Sequence, residues 1–174
     1  ELELQIALGR AMLGAKGWAA PETGEAYSRA RELCERLGET KQLFPVLWGL
    51  TVFHINRGES GAGRKVAEEM LRLAERQRDD ALRIASHRAL SAALYHLGEF
   101  SATRTHLERV LSLYDSLPSR PTPSLYTVDH RAMALSFLAT TLFLLGYPDQ
   151  AEARHREAVD YARTLGHSHS LGLV

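Results

Sequence analysis

Gly17, Gly58, Gly98 and Gly146 recur about every forty residues, each closing a mostly apolar segment and preceding a second, amphipathic one. A helical hairpin of that length cannot bury its apolar face alone. Stacked copies share one continuous core and leave an extended surface for partners. The period therefore predicts an all-α fold, a solenoid of about four helical hairpins. The hairpins occupy approximately 1–38, 39–78, 79–117 and 129–167, within one domain spanning 1–174. An array of this kind binds; it does not catalyse.

Apolar residues at three- and four-residue spacing, as in Leu47, Leu50, Val52, Phe53 and Ile55, or Val66, Ala67, Met70, Leu71 and Ala74, predict helices. The ranges are 2–16, 22–37, 41–57, 61–77, 80–97, 100–116, 129–145 and 148–165. Strand-type alternation is missing. Opposite charges one turn apart, Arg31 with Glu35, Glu32 with Arg36 and Glu68 with Arg72, are expected on solvated faces. The turns Gly58-Glu59, Gly98-Glu99-Phe100 and Gly146-Tyr147-Pro148-Asp149 put glycine at a helix C-terminus and a helix-initiating residue soon after. From 117 to 128, Pro118, Pro121 and Pro123 interrupt the period and predict a connecting loop, read as a spacer.

Balanced charge, 21 basic against 21 acidic side chains, removes the long-range attraction that nucleic acids or anionic membranes exploit. Neither is expected as a partner. No apolar run approaches the roughly eighteen residues of a membrane span, and the N-terminus lacks a signal-type pattern. A cytoplasmic location is expected. Cys34 shares a helix face with Tyr27, Ala30 and Leu37 and is read as packing. Leu2, Leu4, Ile6, Leu8 and Met12 begin in mid-pattern, and 168–174 reads as the start of a ninth helix. The chain is therefore expected to be a fragment of a larger protein.

Gly58-Glu59-Ser60-Gly61-Ala62-Gly63-Arg64-Lys65 comes near a phosphate-binding P-loop but has Arg64 where lysine must follow the last glycine, and Lys65 where serine or threonine holds magnesium. Its helical approach is also wrong for a loop that should follow a strand. It is read as a Gly-rich turn. Of the eight histidines, His167 and His169 are locally paired, while His87, His96, His106 and His155 fall on different helices and are read as packing or surface residues. No metal or cofactor is expected. Gly-x-Ser-x-Gly, His-Glu-x-x-His and Cys-x-x-Cys are missing, so no catalytic residues are assigned. Arg154-His155-Arg156 sits among Asp149, Glu152 and Glu157, a mixed face and not a basic stripe.

Leu145-Gly146-Tyr147-Pro148-Asp149-Gln150-Ala151, followed by Ala158, resembles the inter-helix turn and second helix of a tetratricopeptide repeat. The other copies are weaker, with Thr103 and Val110 after Leu97-Gly98-Glu99-Phe100, and with Gly63, Ala67 and Met70 after Gly58-Glu59. Together with Ala30-Arg31-Glu32-Leu33-Cys34-Glu35-Arg36-Leu37-Gly38, the long degenerate repeats are similar to the C-terminal arrays of large bacterial signalling ATPases linked to nucleotide cyclase or transcription-regulator domains. The resemblance implies a right-handed superhelix in which the first helix of each hairpin lines a concave groove. It implies a non-catalytic scaffold in signal transduction that relays partner or ligand binding to the ATPase.

Aligned on the turn glycines, the groove residues are Trp48, Val52, Ile55 and Asn56; then Arg88, Ala92, Tyr95 and His96; then Ser136, Phe137, Thr140 and Phe143. Trp48 and Tyr95 are the preferred anchors, because aromatic side chains bury large areas while keeping a polar handle. The expected partner is a protein or peptide segment docked in this groove. Two alternatives stand beside it: a small-molecule effector enclosed by Trp48, Arg88, Tyr95 and Phe137, and homodimerisation through the terminal hairpins.

Overall fold

A computed structural model describes residues 1–38, 40–117 and 129–165. Among the described residues the chain is all-helical, with α1 Leu2–Lys16, α2 Pro21–Leu37, α3 Thr40–Asn56, α4 Ser60–Gln77, α5 Asp80–His96, α6 Phe100–Ser116, α7 His130–Leu144 and α8 Pro148–Leu165. Every predicted boundary lies within one residue of these. Residues 118–128 of the loop expected over 117–128, the helix start at 168–174 and the His167/His169 pair lie outside the described residues. No helix among the described residues is long and apolar enough to cross a membrane.

Three of the four hairpin turns are built alike, whereas at the first Gly17 holds φ 93° and ψ 172° and its N–H bonds the Leu13 carbonyl. Gly58, Gly98 and Gly146 hold φ of 76°, 77° and 85°, a left-handed conformation that side chains with a Cβ resist. The next residue's N–H then reaches back five residues: Glu59 to the His54 carbonyl at 2.9 Å, Glu99 to Leu94 at 3.0 Å, and Tyr147 to Leu142 at 2.9 Å. This closure satisfies carbonyls the helix end leaves open. Between α4 and α5 the same closure forms from Asp79 to Ala74 at 3.3 Å, but Arg78 occupies the left-handed position with φ 54°. Arg78→Gly is therefore expected to raise stability by about 1 kcal/mol, read as a higher urea midpoint with an unchanged slope. A lower midpoint would show that the arginine side chain stabilises the turn by more than its backbone strain costs.

Each helix packs on its successor, and α3 also packs on α5, and α5 on α7. Among the described residues no comparable packing joins α2 to α4, α4 to α6 or α6 to α8. The core forms two clusters that meet at α5. One gathers Leu47, Met70 and Leu90 from the first five helices, and the other gathers Ile84, Leu107 and Leu138 from the last four. Cys34 is buried in the first cluster, as its position on the helix face predicts.

Glycines inside helices admit aromatic rings. A Cβ on Gly49 would stand 2.5 Å from the Tyr27 ring, and one on Gly9 would stand 3.0 Å from it, so Tyr27 fills the space between α1 and α3. Phe53 lies against Gly24 in the same way, with 2.3 Å to a built Cβ. Gly61 and Gly63, at the end of the stretch read as a Gly-rich turn, lie in the first turn of α4, within the helix predicted over 61–77. At Gly63 the bare backbone brings α4 close to Ile55 and to the Thr51 carbonyl of α3.

The expected charge pairs form in part. Arg31 donates to Glu35 at 3.0 Å, whereas Glu32 accepts from Arg29 and Glu68 from Arg64, at 2.8 and 2.9 Å. Arg31 also reaches Glu69 of α4, and Arg64 reaches Glu99 in the turn before α6, both at 2.9 Å. These longer links tie one hairpin to the next along the even-numbered helices. Being largely solvated, each contributes little, about 0–1 kcal/mol.

Candidate functional site

The odd-numbered helices α3, α5 and α7 bring the predicted groove residues together because those residues share one register. Trp48, Arg88 and Ser136 are equivalent, as are Val52, Ala92 and Thr140, then Ile55, Tyr95 and Phe143. Contacts along this face sort them into a packed end and an open end.

At the packed end, the Arg88 guanidinium lies over the Trp48 ring at 4.8 Å from its centroid. The His130 ring meets Trp48 edge-on at 6.0 Å. Trp48 is only partly exposed and packs against the first core cluster, so this preferred anchor holds hairpins together as much as it lines a surface. The His130 Nδ1 is sealed from solvent. Burial, reinforced by the nearby Arg88 charge, pushes its pKa down to about 3, so the ring is neutral at pH 7. A neutral ring can pack edge-on against the indole near a guanidinium without a desolvated charge.

At the open end, Tyr95 is half-buried and meets Phe137 and Phe100 edge-on, with centroids 5.5 and 5.7 Å apart. These contacts fix the orientation of its ring. Val52, Ile55 and Phe137 are half-buried, and Asn56, His96 and Thr140 are exposed. Phe143 is 66% exposed, the most open aromatic side chain of the face. Asn56 donates to the Val52 carbonyl at 2.8 Å and Thr140 to the Ser136 carbonyl at 3.3 Å. Their side-chain oxygens keep lone pairs for a partner.

Two members of this face escape sequence reasoning. Phe100 carries a local signal, its place in the Gly98-Glu99-Phe100 turn, but its contact with Tyr95 depends on the hairpin angle. His130 carries none. Its contact with Trp48 spans from the second hairpin to the fourth across α5.

Cavities of about 520, 480 and 330 Å³ lie among α6, α7 and α8, on the α7/α8 surface, and among α4, α5 and α6. Trp48, Arg88, Tyr95 and Phe137, the four side chains of the effector alternative, line none of these three. Thr140 and Phe143 line the second, beside Pro148 and His155. In the first, Arg131 lies over the Tyr161 ring at 4.9 Å and donates to Asp115 and Glu157. Beneath it the buried Asp129 caps α7 by accepting from the Ala132 N–H at 2.9 Å, and accepts from the Tyr114 hydroxyl at 2.9 Å. Burial, then the hydroxyl–hydroxyl contact with Tyr161, raises the Tyr114 pKa.

Among the described residues no group of three or more histidine, cysteine or acidic side chains is placed to hold a metal ion. His87 and His106, expected to be independent, instead join Nδ1 to Nδ1 at 2.8 Å. No protein-family model matches the chain, and no curated protein matches it.

Proposed function

We propose that the chain is a tetratricopeptide-like solenoid of four hairpins, wound as a right-handed superhelix, that docks a peptide segment of a partner protein against its odd-numbered helices. The sequence resemblance supports reading it as the regulatory scaffold of a larger bacterial signalling ATPase, working in the cytoplasm without catalysing a reaction itself. Packing supports the curvature: α3, α5 and α7 touch one another directly, while long Arg–Glu links span the even-numbered helices. The side in direct contact is the shorter, inner arc.

One observation carries the docking assignment. Ile55, Tyr95 and Phe143 occupy equivalent positions in three hairpins and stay at least partly open, flanked by Asn56, His96 and Thr140. A ladder of apolar anchors with polar groups beside it suits an apolar peptide whose backbone needs hydrogen-bond partners. The end of the face around Trp48 is the less suitable anchor, because its rings already pack on each other.

The test is selection of peptides from a displayed random library on the intact chain, followed by affinity measurement on variants. Selected peptides are expected to bind one per monomer and to lose affinity about tenfold or more in Phe143→Ala. Leu8→Ala, on the exposed surface of α1, is the control and should leave affinity unchanged. Binding insensitive to both Phe143→Ala and Tyr95→Ala would reject this face. A second reading, self-association through the terminal hairpins, rests on the exposure of Leu4 and Leu8 on α1 and of Leu144 and Tyr147 beside α8. Native mass spectrometry separates the two, since a concentration-dependent dimer lost in Leu4→Glu would move the assignment there. A small molecule retained by the monomer would instead favour the effector alternative.

A further inference from the structure

His87, one of the joined histidines, lines the 330 Å³ notch, none of whose walls belongs to the proposed docking face. Leu71 and Glu75 of α4, Arg83 and His87 of α5, and Arg109 and Leu113 of α6 form its walls. His87 is one of the lining residues, and His106 contacts it from outside the lining. Their ring centroids are 5.1 Å apart with the Nδ1 atoms at 2.8 Å, so the rings meet nearly tip to tip. That geometry places one proton between two lone pairs and does not converge both on a metal.

Three guanidinium groups stand near the pair, two of them already matched by carboxylates. Arg83 donates to Asp80 at 2.8 Å, and Arg64, near His106, is engaged by Glu68 and Glu99. Arg109 is exposed and makes no ion pair among the described residues. Glu75 is the one carboxylate in the wall. Burial, then the charges of His106, Arg109 and Arg83, pushes the His87 pKa down to about 4, and burial followed by Arg64 lowers that of His106.

We propose that this notch is a binding site for a small organic phosphate monoester, held by Arg83 and Arg109 and by the ring N–H of His87. Guanidinium groups present parallel donors that match phosphoryl oxygens, and apolar Leu71 and Leu113 supply walls for the organic part. The neutral histidine pair adds one donor. When His106 Nδ1–H donates to His87 Nδ1, the His87 Nε2 carries hydrogen and can donate to the anion. The bare Nε2 is then that of His106. A bound dianion offsets the Arg83 and Arg109 charges that add to burial in holding His87 neutral, so that His106 Nε2 takes up a proton from solvent while the shared Nδ1 proton passes to His87, leaving the cation beside the anion. Ligand binding and proton uptake are thereby linked, each favouring the other. The site is independent of the docking face and stands or falls separately from it.

The experiment titrates the full chain with phenyl phosphate, and in parallel with inorganic phosphate, following the histidine ring resonances by NMR at about pH 6.5 and pH 8. Phenyl phosphate is expected to saturate at one per chain, to shift the His87 and His106 resonances, and to bind more tightly at the lower pH. Arg109→Ala should weaken it about tenfold or more. His87→Gln, which keeps a neutral donor, should remove the protein's share of the pH dependence and leave only that of the ligand. Arg36→Ala on α2 is the control for non-specific anion attraction. Ring resonances that do not move, equal affinity in wild type and Arg109→Ala, or parallel pH profiles in wild type and His87→Gln would each overturn the assignment. Weak binding of both phosphates that Arg36→Ala and Arg109→Ala reduce alike would mean an adventitious ion only.

Discussion

Tyr27→Ala is expected to lower the free energy of unfolding by about 3–5 kcal/mol, the range for deleting a buried aromatic ring. Tyr27 is 5% exposed, and its ring fills the gap between α1 and α3 because Gly9 and Gly49 present no Cβ there. Removing the ring leaves a void walled by two helix backbones. Backbones cannot collapse inward as side chains can, so the cavity persists. The reverse change tests the same geometry. Alanine at Gly49 improves intrinsic helix propensity by about 1 kcal/mol, yet its Cβ would stand 2.5 Å from the ring. Overpacking of this kind costs about 1–3 kcal/mol, so Gly49→Ala is expected to destabilise on balance despite its better propensity. Tyr27→Phe keeps the ring and should change stability little. Urea unfolding of the three variants measures all of this. A loss below about 1 kcal/mol in Tyr27→Ala would show that α1 reseats on α3 without the ring.

Acidification from pH 7 to about pH 4.5 is expected to lower stability by about 2.5 kcal/mol through His130 alone. In the unfolded chain this imidazole takes up a proton near its ordinary value of 6.5, while in the folded chain burial and Arg88 hold it neutral down to about 3. The unfolded state therefore binds more protons throughout that window. Stability is fully present above pH 6.5 and is lost as pH falls towards 3. His87, held down to about 4, acts in the same direction, although its greater contact with water lessens the effect. His130→Phe retains an aromatic ring against Trp48 and removes the proton, so the stability–pH profile should flatten by the His130 share. Parallel profiles for wild type and His130→Phe, measured by urea unfolding across the range, would mean that the imidazole becomes charged in the folded state at little cost.

The helices were legible because their signals are local. Gly58, Gly98 and Gly146 take left-handed backbone wherever they fall, and Pro21 and Pro148 start helices because their fixed φ is already helical. The three- and four-residue apolar spacing then marks which side of each helix is buried. That is why Leu47, Met70 and Ala74 were recognisable as interior residues. The candidate face was legible only as a set of equivalent positions. Aligning turn glycines put Ile55, Tyr95 and Phe143 in one register, but it could not tell that Phe143 stays open while Trp48 is covered. Exposure at such a position depends on what the neighbouring hairpin brings to it.

The misread features share a cause. Gly61 and Gly63 fall both in the stretch read as a Gly-rich turn and in the helix predicted over 61–77; α4 holds them, and the bare backbone of Gly63 brings two helices close. Glu32 and Glu68 found arginines on the N-terminal side of their own helix, an alternative that sequence spacing permits equally. The histidines at 87 and 106 looked like separate surface or packing residues. Only the antiparallel pairing of α5 and α6 puts their rings tip to tip.

By itself the sequence determined an all-helical chain, the ends of each described helix to within a residue, and most of the apolar side that α2, α3 and α4 bury. Those properties follow from backbone conformation and hydrophobic spacing over a few turns. Tertiary structure alone decided that Trp48 meets His130 across α5, that Tyr27 seats between two glycines, and that Arg83, His87 and Arg109 surround one notch. Those contacts join residues from separate helices. They depend on the angle and offset at which hairpins stack, quantities set by how bulky and small side chains interlock, which a repeat period does not encode.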